Sequence, residues 1–91
     1  MNGLELIAKE RQEQIEKHGR TVEKDKEHNH QHQLSEAAAY LAWFSIEEAD
    51  CRHEAPLGWD LDIWQKMHDK PYEERLVLAG ALIAAELDRI N

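Results

Sequence analysis

The chain has 91 residues, a formal net charge of −8 and a single cysteine. One cysteine forms no internal disulfide, which is typical of a reducing compartment, and an acidic surface repels phosphate backbones and anionic lipids. We therefore predict one cytoplasmic domain over residues 1–91 with no nucleic-acid partner, and no membrane segment because the most apolar stretch, Leu76 to Leu87, is too short to span a bilayer.

The first predicted helix covers about residues 3–18. Its apolar face recurs at steps of three and four and comprises Leu4, Ile7, Ala8, Arg11 and Ile15. Asn2 and Glu5 fit a capping box at its start, and Gly19 stands where a left-handed glycine ends a helix. Both ends of this helix are thus predicted from local signals.

The next segment, Arg20 to Gln31, is polar throughout and has no hydrophobic period. It is predicted to be a long loop. Long loops in small domains are usually functional or internally packed. We therefore expect Asp25 and His28 to turn inward and to contact the first helix around residues 10–14.

Three further elements follow. An apolar pattern at helical spacing predicts a helix at about 31–50. Pro56 and Gly58 then break the chain, and the tryptophan-rich stretch after them predicts a short helical turn near 60–68 that covers the core. Pro71 opens a last helix at about 71–90. The prediction is an all-α antiparallel bundle of three main helices plus the short turn.

The last predicted helix is apolar on nearly all of its faces. Two short helices cannot cover that much apolar surface. Gly80 and Ala84, like Ala81 and Ala85, are small residues four apart that permit close approach of another helix. A homo-oligomer through this helix is expected, because so small a core gains most from shared burial. The alternative is that the segment from Trp59 to Met67 supplies the cover.

Histidines cluster between the first two predicted helices. His28, His30 and His32 alternate along the chain, a spacing that does not place three imidazoles on one helical face. His32 and Glu36, four apart on a helix, could share a metal ion with His28. A solvated loop entering a helix explains the same residues equally well. A metal site on His28, His32 and Glu36 is therefore a hypothesis only.

Polar residues also interrupt the apolar helix faces. Arg11 lies within the apolar stripe of the first helix, so its guanidinium is expected to reach a carboxylate or a backbone carbonyl, and Glu36 or Glu86 could be that carboxylate. Glu86 interrupts the apolar run of the last helix, where a carboxylate is costly unless paired. The sequence leaves two alternatives for these polar residues, namely a structural ion pair and a polar cluster that faces a ligand. The candidate polar-site residues are Glu10, Arg11, Gln14, Asp25, His28, Glu36 and Glu86.

The aromatic residues and the cysteine carry weaker signals. Trp43, Trp59 and Trp64 are expected to fill the edge of the core rather than to stack on a nucleobase. Cys51 has only His53 nearby, and a pair two apart on a helix does not converge. We predict that this cysteine is inert.

Three segments carry a resemblance. Glu10 to His28 reads E-R-Q-E-Q-I-E-K-H-G-R-T-V-E-K-D-K-E-H, Leu34 to Ala42 reads L-S-E-A-A-A-Y-L-A, and Arg75 to Arg89 reads R-L-V-L-A-G-A-L-I-A-A-E-L-D-R. Together they resemble a family of small phage and prophage proteins of unassigned activity, with an E-R-x-x-Q-(I/V) helix and a T-x-E-x-D-x-x-H segment. The resemblance covers most of the chain. It departs at Arg20, where the family implies tryptophan, and at Leu78, where it implies lysine.

More distantly, the layout is similar to that of the all-α nucleotide pyrophosphohydrolases of the MazG type. Their E-E-x-x-E and E-x-x-D motifs hold magnesium against a triphosphate, and of those positions only Glu36 and Glu74 match here. Either the metal site is rebuilt from Asp25, His28 and Glu10, or the chain keeps the fold without the enzymatic activity. We expect a phage-type protein that acts by binding or self-assembly without a cofactor. The alternative is a magnesium-dependent nucleoside triphosphate pyrophosphohydrolase.

Overall fold

The computed structural model describes residues 1–43 and 55–91. These residues form five α-helices, namely α1 (Gly3–His18), α2 (Val22–His28), α3 (Gln33–Ala42), α4 (Leu61–His68) and α5 (Tyr72–Ile90). The predicted all-α class is confirmed. None of the described helices is long and apolar enough to cross a membrane.

Local signals fix both ends of α1, as predicted. The Asn2 side chain accepts the Glu5 N–H at 2.9 Å, and the Glu5 carboxylate accepts the Asn2 N–H at 3.1 Å. This reciprocal pair is a capping box. At the other end Gly19 adopts a left-handed φ of 64°, which suits a residue without a Cβ atom.

The predicted loop from Arg20 to Gln31 is wrong in one respect, since it contains α2. Thr21 caps this helix by accepting the Lys24 N–H at 3.3 Å. The one buried residue of α2 is Asp25. A seven-residue helix whose buried face is filled by a carboxylate has no hydrophobic period, and the sequence pattern therefore did not reveal it.

Helix α3 is shorter than the helix predicted at about 31–50. It follows His32, whose φ is 66°, and it ends at Ala42, after which Trp43 is extended. The Arg75 guanidinium accounts for this end, because it donates to the carbonyls of Leu41 at 2.9 Å and Trp43 at 2.8 Å. The rest of the predicted helix, and the pair Cys51 and His53, lie outside the described residues.

The last two helices match their predicted bounds within two residues. Asp60 caps α4 by accepting the N–H groups of Asp62 at 2.9 Å and Ile63 at 3.0 Å. Pro71 precedes α5, and Glu73 and Glu74 occupy its first turn, where negative charge is favourable.

The core forms mainly where α3 packs against α5, and α4 adds two large side chains to it. Its buried members are Leu34, Ala37, Ala38, Leu41, Trp64, Met67, Leu78, Ala79, Leu82 and Ala85. The expectation for the tryptophans is confirmed for Trp64, which is fully buried with its ring 5.4 Å from that of Tyr40, and for partly buried Trp59. It is wrong for Trp43, which is 68% exposed.

Candidate functional site

Three polar side chains of α1 and α2 are almost completely buried. Arg11, Gln14 and Asp25 are 8%, 3% and 2% exposed. Within the described part of the chain, Arg11 Nε, both polar atoms of the Gln14 side chain and Asp25 Oδ2 have no hydrogen-bond partner. Few buried polar atoms in proteins lack a hydrogen-bond partner. We name these three residues the buried polar cluster.

Arg11 reaches a carbonyl and a carboxylate, as expected, but the carboxylate is neither Glu36 nor Glu86. Its Nη1 donates to the carbonyl of Arg20 at 3.1 Å, and its Nη2 lies 3.4 Å from Asp88 Oδ2. The prediction of a pair with Glu36 or Glu86 is therefore wrong. Asp88 takes that role from a half-exposed position on α5.

Glu86 is a structural ion-pair residue rather than a free acid. It is buried, it accepts a hydrogen bond from Arg89 Nε, and His32 Nδ1 lies 3.4 Å from its other oxygen. The hydrogen bond from Arg89 lowers the pKa of Glu86, because it stabilises the carboxylate form. A carboxylate held in this way satisfies the requirement for pairing at a buried position.

Asp25 faces inward, as predicted. The Asn29 side chain donates to its Oδ1 at 2.8 Å. Burial raises the pKa of Asp25, while that hydrogen bond and the charges of Arg11 and Arg20 oppose the rise. His28 does not follow Asp25 inward; its side chain is 72% exposed and lies 3.6 Å from the carboxylate of Glu27.

The hypothetical metal ligands are not brought together. The His32 side chain is 76% exposed and faces Glu86, whereas Glu36 is exposed on α3. Throughout residues 1–43 and 55–91, no three His, Cys, Asp or Glu side chains lie close enough to hold a metal ion.

Glu10 belongs to a groove between α1 and α5, apart from the buried polar cluster. The groove has a volume of about 410 Å³ and is lined by Leu6, Lys9, Glu10, Glu13, Lys70, Glu73, Glu74, Val77 and Leu78. Burial and the neighbouring charge of Glu13 raise the pKa of Glu10. This α1–α5 groove therefore has an apolar floor and an acidic rim.

A smaller cavity, the Trp59 pocket, opens beside α2. Its volume is about 180 Å³, and it is lined by Arg20, His28, Asn29, Gly58, Trp59, Asp60 and Ile63. The Arg20 guanidinium lies 5.1 Å from the centre of the Trp59 ring. Sequence reasoning missed Arg20 and Asn29, because nothing in a polar segment indicates which residues contact a tryptophan far away in the chain.

One face of α5 carries exposed apolar side chains, which we name the α5 stripe. Its members, 39–59% exposed, are Leu76, Ile83, Leu87 and Ile90. The small residues expected to face another copy are used within the chain instead. A Cβ atom at Gly80 would lie 2.5 Å from Ile7 Cδ1, and Ala81 and Ala85 are buried in this chain.

Comparisons with protein families, with curated proteins and with solved structures found no match for this chain.

Proposed function

We propose that this chain is a phage-type helical protein that acts by binding, and that its copies associate through the α5 stripe. The observation that supports the proposal is the exposure of four large apolar side chains on one helical face. Their spacings of seven, four and three residues keep them in line. The stripe extends for roughly 21 Å along the helix axis, at 1.5 Å per residue.

The packing of α1 explains why this face remains available. Ile7 packs against α5 at Gly80, which lies between Leu76 and Ile83. On either side of that contact the stripe stays exposed, and Leu4 of α1 is itself 81% exposed. A second copy of the chain would bury these residues, and a two-fold interface would pair the stripe with itself.

The oligomeric state in solution tests this proposal. Light scattering at tens of micromolar protein is expected to give at least the mass of a dimer, with a melting temperature that rises with concentration. Leu87→Glu should give monomers, because it places a charge in the middle of the interface. Leu57→Glu is the matched control, since Leu57 is 66% exposed and lies outside both α1 and α5. A monomeric wild-type protein would contradict the proposal.

A second candidate function is a metal-dependent nucleoside triphosphate pyrophosphohydrolase. The observation that favours it is the α1–α5 groove, in which Glu10 and Glu13 share one cavity with Glu73 and Glu74. Magnesium in phosphoryl chemistry is often held by one or two carboxylates together with the phosphates of the substrate. The acidic rim has the right donor type for such an ion, and the groove could admit part of a nucleotide.

Activity measurements separate the two candidates. A screen of nucleoside triphosphates with magnesium or manganese is expected to release no pyrophosphate if the protein acts only by binding. Release that is lost in Glu10→Gln and retained in Glu36→Gln would favour the hydrolase, because Glu36 lies outside the groove. That outcome would replace the first proposal.

A further inference from the structure

The Trp59 pocket contains a guanidinium that has no hydrogen-bond acceptor among the residues the structure describes, that of Arg20. Arg20 follows the end of α1, and its backbone N–H and carbonyl are bonded to Gln14 and Arg11. Its guanidinium carbon lies over the Trp59 ring, 5.1 Å from the ring centre. Burial lowers the pKa of Arg20, and Asp25 and Glu10 act on it only through space.

The contact with the ring does not use up the hydrogen-bonding capacity of this guanidinium. An aromatic ring attracts the positive charge of the cation, whereas an arginine carries five N–H donors that need acceptors of their own. A planar fork of donors matches the two oxygens of a carboxylate or a phosphate. The ligand class that suits the Arg20 guanidinium is therefore an oxyanion.

A chain of hydrogen bonds holds the aromatic platform in place. Trp59 Nε1 donates to Asn29 Oδ1 at 2.8 Å, and Asn29 Nδ2 donates to the buried Asp25 Oδ1 at 2.8 Å. The indole therefore has a fixed orientation before any ligand arrives. A preorganised site loses less entropy on binding.

We propose that the Trp59 pocket binds a small oxyanion group, a phosphate or a carboxylate, through the Arg20 guanidinium. The 180 Å³ volume admits one such group with a short substituent. His28 lines the same pocket. This site is distinct from the α5 stripe and from the α1–α5 groove, so its test does not depend on either proposed function.

Asp60 limits the affinity and provides a test of the charge argument. Its carboxylate lines the pocket, where it opposes an anion, although its Oδ1 is engaged with the backbone N–H groups of α4. Asparagine is an equally good helix cap. Asp60→Asn should therefore keep α4 intact while removing the repulsion, and it is expected to tighten oxyanion binding several-fold, on the order expected for one nearby charge in a mostly aqueous setting.

The experiment is a titration of the full chain followed by the NMR signal of the Trp59 indole N–H, identified by its loss in Trp59→Phe. Inorganic phosphate and acetate are added in separate arms at constant ionic strength, with chloride as the reference. We expect a saturable shift with at least one oxyanion, weakened about tenfold or more in Arg20→Gln, which loses the charge-assisted hydrogen bonds. The relative strength of the two arms identifies the preferred oxyanion.

The exposed Lys24→Gln, with the same change of charge, is the matched control and should bind like wild type. An absent shift, or an equal shift in Arg20→Gln, would mean an adventitious ion only and would overturn the proposal. If Arg20→Gln fails to fold, the Asp60→Asn arm decides. Unchanged or weaker binding in that variant contradicts the site.

Discussion

Arg75 offers the most direct test of how this fold is held together. It is 6% exposed, it lies in the first turn of α5, and it donates to three backbone carbonyls, while no carboxylate of the described residues pairs with it. Its Nη1 bonds to the carbonyls of Leu41 and Trp43 at the end of α3, and its Nε bonds to that of Lys70 at 3.2 Å. The guanidinium thus joins the ends of three helices.

The size of the effect follows from the groups left behind. Arg75→Met preserves much of the apolar packing but removes one buried and two partly buried hydrogen bonds to carbonyls, at about 1–3 kcal/mol for each group left unsatisfied. Relief from burying a cation offsets part of that cost. We expect a net loss of about 3 kcal/mol, and Arg75→Lys should lose less, about 1–2 kcal/mol, because one ammonium cannot reproduce the planar fork of donors.

Urea and thermal unfolding measure this prediction. For a chain of this length 1 kcal/mol corresponds to about 4–8 °C, so Arg75→Met should lower the melting temperature by roughly 12–24 °C. Lys66→Met on α4 is the control, because it removes an exposed cation and should change stability by less than about 0.5 kcal/mol. If Arg75→Met unfolded within 1 kcal/mol of wild type, the view that these carbonyls depend on the guanidinium would be refuted.

Two further predictions concern the interior. Since burial raises the folded-state pKa of Asp25, the folded protein holds this proton more tightly than the unfolded chain does, and the contribution of Asp25 to stability falls as pH rises from about 4 through the raised pKa. Asp25→Asn should remove that fall. Urea unfolding at several pH values measures it, and the same pH dependence of the free energy of unfolding in both proteins would contradict the prediction. Gly80→Ala should destabilise wild type, because its Cβ meets Ile7, yet stabilise an Ile7→Ala background by about 1 kcal/mol through helix propensity. A double-mutant cycle without this change of sign would disprove the contact.

How far the sequence predicts this fold depends on where each element gets its stability. The caps of α1 are local, since Asn2, Glu5 and Gly19 act on their own helix, and they were predicted correctly. The bounds of α5 follow from Pro71 and from a long apolar run. Helix α2 was missed, because its buried residue is Asp25 and hydrophobic periodicity carries no signal for a buried carboxylate.

The candidate site was predicted only in part. Arg11, which lies within an apolar stripe, and Asp25, which was expected to turn inward, are both buried. Their partners were not predictable, because Asp88 and Asn29 are ordinary surface residue types that become partners only through tertiary packing. The small residues of α5 show the same limit, since a spacing of four permits a close approach without indicating which helix approaches.

Three arginines, Arg11, Arg75 and Arg20, differ in what they bind. Arg11 donates to the carbonyl of Arg20, just beyond the end of α1, and Arg75 donates to carbonyls at the ends of α3 and α4. A short chain brings several helix ends close together, and the last carbonyls of a helix have no partner within it. Arginine suits this task because it carries several donors on one planar group. Arg20 has the same donors but bonds to no such carbonyl among the described residues, so of these three arginines it is the one whose donors remain for a ligand.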